Sequence, residues 1–406
     1  MDIHPRYNNK AKWVFLVVLL ILIVAGMTLV IYFRRPNSST STLGTSDAQP
    51  ETIIPPTAVS LESRILFMGN TFWGRYINDW SMASEKKTAY PFSRLSEFNR
   101  DSYDAWISGL ECPSVAGVDI SSQQQEDTLE FNCPPKYLAE AAKWFTAFTL
   151  ANNHTDNQGT SGFAETKKQL DKSGIQHFGH YDPRKTNEAC GIISVKTRIK
   201  YDDDSTKNAE IPIVFCGYHG VFMIPPDNSL KEIQKYSKYL PVIAMPHMGA
   251  EYKPSADQIK TSTYRTMIDY GAEMVIGDHP HWVQNTEAYN GKLIVYSMGN
   301  FMFDQQSKSE VTRSALIDVT LSTESDDIKG WTEIAEECKK DGLSRCIELI
   351  ESKELKKPVL SYKFDVVGSD NSGKITHKAS SAQLESIKQR LNWTATMKGL
   401  IEQQHR

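Results

Sequence analysis

Apolar residues fall into three kinds of pattern along this chain. The first is one uninterrupted, uncharged run at residues 13–33. At about 1.5 Å per residue, a helix of that length spans the roughly 30 Å hydrocarbon core of a bilayer. The run is longer than the apolar part of a usual signal peptide, and no A-x-A cleavage pattern follows it at once. An uncleaved transmembrane anchor is therefore expected, preceded by a short cytoplasmic segment at 1–12. Arg6, Lys10 and Lys12 on one side, against Arg34 and Arg35 on the other, favour the N-terminus inside. Residues 34–60 hold Ser and Thr at 38–42 and prolines at 50, 55 and 56, which reads as a flexible linker. The expected location is the cell membrane, single-pass, with the C-terminal body extracellular.

The second pattern is a series of short β-prone runs at 63–68, 103–107, 145–151, 175–178, 211–217, 242–245, 274–276 and 292–297. Helical spacing lies between some of them. Phe163, Thr166 and Leu170 mark a helix over 162–172 closed at Gly174, and a second helix over 258–270 stops at Gly271. Glycine just past a helix suits a left-handed C-cap. Strand and helix alternate, so an α/β layered domain is expected over 61–322. The third pattern begins at 323. Residues 326–349 read as a charged helix, 355–367 as β and 383–404 as one closing helix. This C-terminal extension, 323–406, carries no recognisable chemistry and is expected to pack on the domain.

A net charge of −4 gives no basic excess, so no nucleic-acid partner is expected. The six cysteines are an even count, consistent with disulfides in an extracellular body. Cys338 with Cys346, and Cys112 with Cys133, are close enough in sequence to pair; connectivity stays open, and six buried thiols are the other reading.

Polar and imidazole side chains stand at the ends of the apolar runs. Asn152-Asn153-His154 follows 148–151, His247 follows 242–246, and Gly277-Asp278-His279-Pro280-His281 follows 274–276. Residues just past strand ends in an α/β fold converge on one crevice. An amide oxygen and several imidazoles delivered that way suit a divalent metal: Mn, Zn, Fe or Ca. Each piece also has a bland reading: a turn at 153–159, a core histidine at 247, a surface loop at 279–281. Pro280 stiffens the pair around it, but histidines two apart in extended chain point to opposite sides, so a turn must re-aim them. Glu111 ends another strand and could bridge two cations. Asn70 and Arg75 sit in the first loop, and Arg75 either holds an anionic group or forms a structural ion pair. Residues 297–305, dense in glycine, aromatics and amides, read as support beneath the site.

In order and spacing, 68–70, 109–111, 150–154, 247–252, 277–281 and 296–305 resemble the CapA family of poly-γ-glutamate capsule biosynthesis proteins. The resemblance covers roughly 63–319. It implies an α-β-β-α sandwich of the calcineurin-like metallophosphoesterase type, here preceded by a single transmembrane helix. By position it implies Asn70, Glu111, Asn153, His247, His279 and His281 as metal ligands, with Glu111 bridging. It makes His154 the catalytic histidine, in hydrolysis at a phosphoryl or acyl centre; Arg75 and Glu251 are the residues expected to bind substrate. The chain departs from the family pattern at Asn70, where aspartate is usual, at Phe72 for histidine, at Leu110 for asparagine, and at Asn157 for aspartate. One metal position is thereby short of ligands. The implied partners are an anionic polymer such as poly-γ-glutamate and subunits of its synthase and export apparatus. Three functions compete: a membrane-anchored metallohydrolase of capsule biosynthesis, a non-catalytic polymer-binding or synthase-partner subunit with a degenerate metal site, and a phosphodiesterase unrelated to capsule.

Overall fold

A computed structural model describes residues 55–404 apart from 326. The expected transmembrane run, the cytoplasmic segment and most of the linker lie outside these residues. Among the described residues no helix is long and apolar enough to cross a membrane.

Fourteen strands form one connected, mixed sheet. They are β1 (Ala58–Thr71), β2 (Ala105–Leu110), β3 (Ala147–Thr149), β4 (Gln176–Phe178), β5 (Cys190–Tyr201), β6 (Thr206–Gly220), β7 (Val242–Met248) and β8 (Met274–Ile276). The series ends with β9 (Thr286–Tyr289), β10 (Lys292–Val295), β11 (Asn300–Met302), β12 (Arg313–Thr323), β13 (Ser361–Asp370) and β14 (His377–Lys378). The longest helices are α1 (Arg75–Ala83), α2 (Gly159–Lys172), α3 (Asp227–Tyr236), α4 (Gln258–Asp269), α5 (Ile328–Ser352), α6 (Ser381–Leu391) and α7 (Trp393–Gln404).

β1 is the shared strand. Its first half pairs with β5 and its second half with β2, while β12 runs along its other edge. One branch of the sheet therefore reads β14-β13-β12-β1-β2-β3-β4 and the other β5-β6-β7-β8-β10-β9. Side chains alternate between faces of a strand, and the alternation sorts them into layers. Ile65, Phe67, Ile107, Ile213, Phe215, Met274 and Ile276 fill one apolar seam. Their neighbours Leu66, Met68, Trp106 and Phe148 pack outward with Phe163 and Leu170 of α2. Val214, Val242 and Val275 pack outward with Ile233 of α3, Tyr264 of α4 and Ile334 of α5. Each such side chain, fully buried, contributes about 1.5–3 kcal/mol. The result is a layered, mixed α/β body.

Most expected elements are present, with informative shifts. β7 continues through His247 to Met248, because it pairs with β6 as far as Gly220. The expected closing helix is two helices, since Asn392 adopts φ 55° and ends α6. The charged helix starts at Ile328 and is interrupted at Gly342, which sits at φ 77°. β5 was not expected: its outer half alternates Lys196, Arg198 and Lys200 with buried partners, a one-faced pattern easily read as surface chain.

Three disulfides close the body: Cys112–Cys133, Cys190–Cys216 and Cys338–Cys346. The second clamps β5 to β6 across paired positions. The first ties the segment after β2 to the loop that carries Phe131 against the site. Its partners are 21 residues apart, so loop entropy gives it about 3 kcal/mol. The variant Cys112→Ala/Cys133→Ala is expected to lose roughly that stability in a urea titration; an unchanged midpoint would contradict this.

Candidate metal centre

The parallel strands β1, β2 and β3 of one branch and β7 and β8 of the other bring their carboxyl ends together. Close approach is what allows it. A side chain on Gly69 would stand 1.8 Å from the carbonyl oxygen of Gly299, so only glycine lets β1 pass β11. Asn70 N–H then donates to that carbonyl at 3.0 Å.

Glu111 emerges just past β2, its own N–H held by the carbonyl of Thr71 at 3.0 Å. The side chain is 1% exposed, and neither carboxylate oxygen has a hydrogen-bond partner among the described residues. Burial, reinforced by the charges of Asp278 and Glu251, pushes its pKa well above the usual range. Around it stand His247 and His279, and one ligand atom from each of the three lies within 4.8 Å of the others. His247 Nε2 is 3.1 Å from His279 Nδ1 and 2.8 Å from Asn153 Oδ1. Desolvation holds both imidazoles well below their usual pKa. Neutral imidazole is the form that binds a metal, so Glu111, His247 and His279 could hold a cation, with the Asn153 amide oxygen beside them.

His281 is fixed by a different amide. Asn300 donates through Nδ2 to the Val311 carbonyl at 3.1 Å, which identifies its Oδ1 as acceptor. His281 Nδ1 is 2.8 Å from that oxygen and must carry the proton. Its Nε2 is therefore bare, 3.7 Å from Glu111 Oε1 and 3.9 Å from Glu251 Oε1. Asn70 donates to the same Asn300 oxygen at 3.2 Å and leaves its own Oδ1 buried without a partner. The 297–305 segment thus does underlie the site. Glu251 itself is exposed at the rim.

His154 leads away from Asn153. The Asn152 side chain accepts the N–H groups of His154 and Thr155 at 2.9 and 3.1 Å, which shapes the turn. Asn157 Oδ1 accepts the Phe131 N–H and faces His154 Nδ1, both at 2.9 Å. The imidazole therefore holds its proton on Nδ1 and presents a bare Nε2. It stacks on Phe131 at 4.1 Å between ring centroids. Burial lowers its pKa to about 4, with the Asn157 hydrogen bond opposing.

Arg75 takes the ion-pair alternative. It forms a buried, two-pronged pair with Asp304 at 2.9 and 2.7 Å and lies over the Phe131 ring at 4.5 Å. Phe72 is buried between Phe131 and Phe303 and offers no ligand atom. A cleft of about 440 Å³ opens beside Arg75, its lining including Glu126, Tyr252, Trp282, Asp304 and Lys308.

Backbone strain collects here. His279 and His281 have φ of 95° and 59°, Tyr252 56° and Arg75 37°. Each such residue costs on the order of 1–3 kcal/mol. The two histidines reach one site only because these left-handed turns re-aim them; their ring centroids end 6.1 Å apart.

Sequence reasoning passed over Asp278, taken only as part of a turn. Both its oxygens are buried without a partner, and burial raises its pKa well above the usual range. Its sequence signal was its place two residues past β8, inside the 277–281 segment.

Residues 64–305 match the family described as "Bacterial capsule synthesis protein PGA_cap". The chain is 24% identical over 261 residues to the "PGA biosynthesis protein CapA" of Bacillus subtilis (strain 168), covering 59% of this chain and 63% of that protein. It is 26% identical over 251 residues to the "Capsule biosynthesis protein CapA" of Bacillus anthracis, covering 59% of each. The matched part thus spans less than two thirds of either relative. A solved structure, TT1561 of Thermus thermophilus, aligns with a TM-score of 0.34 and 11% identity over 63% of this chain and 93% of that one. That likeness is too loose to bear on the site.

Beneath Asp278 lies Lys260 of α4, only 1% exposed, its ammonium donating to Gln284 Oε1 at 3.1 Å. Burial lowers its pKa to about 7, against the opposing pull of Asp278 and Asp257. In the unfolded chain a lysine titrates near ~10.4. Between those values the unfolded state binds more protons, so this lysine makes stability rise with pH from about 7 to about 10. Lys260→Met is expected to flatten that rise in chelator-treated protein, its advantage over wild type being largest near pH ~6. Calorimetric melts across the range check it; parallel curves for the two proteins would contradict it.

Proposed function

Because this chain belongs to the bacterial capsule synthesis protein PGA_cap family, we propose that it is a membrane-anchored, metal-dependent hydrolase acting on an anionic polymer such as poly-γ-glutamate. The names of its two relatives motivate the polymer and the capsule context. The observation that carries the metal is the Glu111 carboxylate, buried with both oxygens unpartnered amid neutral imidazoles. A buried carboxylate left alone is costly, and a bound cation removes the cost.

The donor set fits a divalent ion. Glu111, Asn153, His247 and His279 would hold one, and Glu111, His281 and Asn70 a second, in a body of the metallophosphoesterase type. Bound there, the ion supplies Lewis acidity and lowers the pKa of water. The chain's own groups do the rest. His154 offers an unprotonated Nε2 and so enters as proton acceptor, with its ring held by Asn157 and Phe131. A neutral Asn157 does not stabilise the imidazolium as a carboxylate would. Arg75, engaged by Asp304, shapes the wall of the cleft, and Glu251 stands at the rim of the centre 3.9 Å from His281 Nε2, where substrate would meet it. The extracellular placement and the synthase and export partners belong to the same proposal.

The second reading, a polymer-binding subunit without catalysis, is favoured by one feature. Asn70 gives the second cation position an amide oxygen in place of a carboxylate, and Phe72 gives it nothing. Calorimetric titration of chelator-stripped full-length protein with Mn²⁺ or Zn²⁺ is expected to show one tight site per chain. Asn70→Asp is expected to tighten the second by about tenfold or more; two tight sites in wild type would overturn this account of the loop.

Activity decides between hydrolase and binding subunit. Full-length protein is offered poly-γ-glutamate and a phosphodiester with Mn²⁺, Zn²⁺ or Ca²⁺. His154→Ala is expected to slow turnover by about 10²-fold or more while leaving metal affinity unchanged. Polymer binding without turnover under every metal would leave the non-catalytic reading standing.

A further inference from the structure

The C-terminal extension does more than pack. α6 starts at the Ser380 capping box, and its Ile387 and Leu391 are buried. One turn apart on the adjoining stripe stand Ser386 and Arg390. They form one wall of a second, solvent-open pocket of about 100 Å³, with Trp282, Val283, Ser309, Glu310 and Arg313 around it and Ile387 at its base. Trp282 lines both this pocket and the larger cleft beside Arg75, which adjoins the metal centre through Tyr252. Aromatic contacts continue the path. Tyr252 stacks on His281 at 5.6 Å, meets Trp282 edge-on at 6.5 Å, and the Arg390 guanidinium lies 5.8 Å from the Trp282 ring.

The charges in this cavity are unequal. Arg313 and Arg390 make no ion pair within 4.0 Å with any described residue. Glu310 is the one carboxylate in the lining. Its own backbone N–H, the Ser309 hydroxyl and the charges of Arg390 and Arg313 hold its carboxyl below the usual range. The hydroxyl bond is 3.1 Å long. Two guanidinium groups against one carboxylate leave a surplus positive charge, with donors in the planar fork that grips carboxylates bidentately.

We propose that Arg313 and Arg390, with Ser386 and Trp282, form a distal subsite for a carboxylate of a polyanionic chain that runs through the cleft adjoining the metal centre. The inference rests on the polymer reading above and adds to it the segment that selects for length. Arg313, Ser386 and Arg390 lie beyond the 64–305 family match. Ser386 and Arg390 come from the extension and Arg313 from the start of β12, while Trp282 lies within the family match. An extended polyamide with one carboxylate per residue reaches across Trp282 and offers an acid group to the fork on the far side.

The test is equilibrium binding of γ-linked glutamate oligomers to metal-loaded full-length protein in detergent at low salt. The probes are a dipeptide, which fills only the cleft, and a decapeptide, which reaches both sites. The expected result for Arg313→Gln/Arg390→Gln is a decapeptide Kd raised by about tenfold or more, with dipeptide and metal affinities unchanged. Arg390→Lys, which keeps the charge without the fork, is expected to fall between. Should the double variant melt early, Arg390→Lys and the single Arg313→Gln carry the test alone, since each retains a charge in the cavity. Wild-type affinity for the decapeptide in every variant overturns the subsite and leaves the polymer reading intact. Wild-type protein that binds neither oligomer overturns both together.

Discussion

A carboxylate removed from water needs either a proton or a cation, and Glu111 sets that condition for the whole centre. It is 1% exposed with no partner for either oxygen. The surrounding imidazoles are themselves driven toward the neutral form, so none offers a compensating charge. Burial shifts the carboxyl strongly toward its protonated form; a cation held by Glu111, Asn153, His247 and His279 would let it ionise. Two amides leave imidazole nitrogens bare: Asn300 accepts the hydrogen bond of His281 Nδ1–H on one side, and Asn157 that of His154 Nδ1–H on the other.

That cluster exists only because β1 is shared. One strand pairs with β5 through its first half and β2 through its second, so two sheet branches splay from a common line and close again over an apolar seam. The carboxyl ends of β1, β2 and β3 then face those of β7 and β8. Glu111 comes from one branch, and His247 and His279 from the other. Left-handed φ at His279 and His281 is strain that the packed seam can hold.

The extension enters the same logic from outside. β13 adds to the edge of β12, and α6 and α7 cap the seam with Ile387, Leu391, Trp393 and Leu400. Packing of this kind leaves the polar stripe of α6 free, and it falls beside Trp282. Burial of one face and display of the other come from the same helix.

Much of this was readable in the residues. β8 at 274–276 and α4 from 258 stand where hydrophobic runs and glycine stops placed them. The Cys112–Cys133 and Cys338–Cys346 pairs are short-range, and their nearness in sequence already suggested them. Cys190–Cys216 was not suggested, because its partners meet only through the pairing of β5 with β6. The same holds at the site. The order of the polar segments named the residues to watch, since strand-end positions are a local property of the chain. Which of Arg75's readings applied, how Asn392 split a helix, that Asp278 is buried bare, and that Arg390 reaches Trp282 were decided by contacts between segments far apart in sequence. Local pattern records what each residue prefers. Burial and partner choice arise only when distant elements pack, and those two quantities set the charge and proton of every group at this centre.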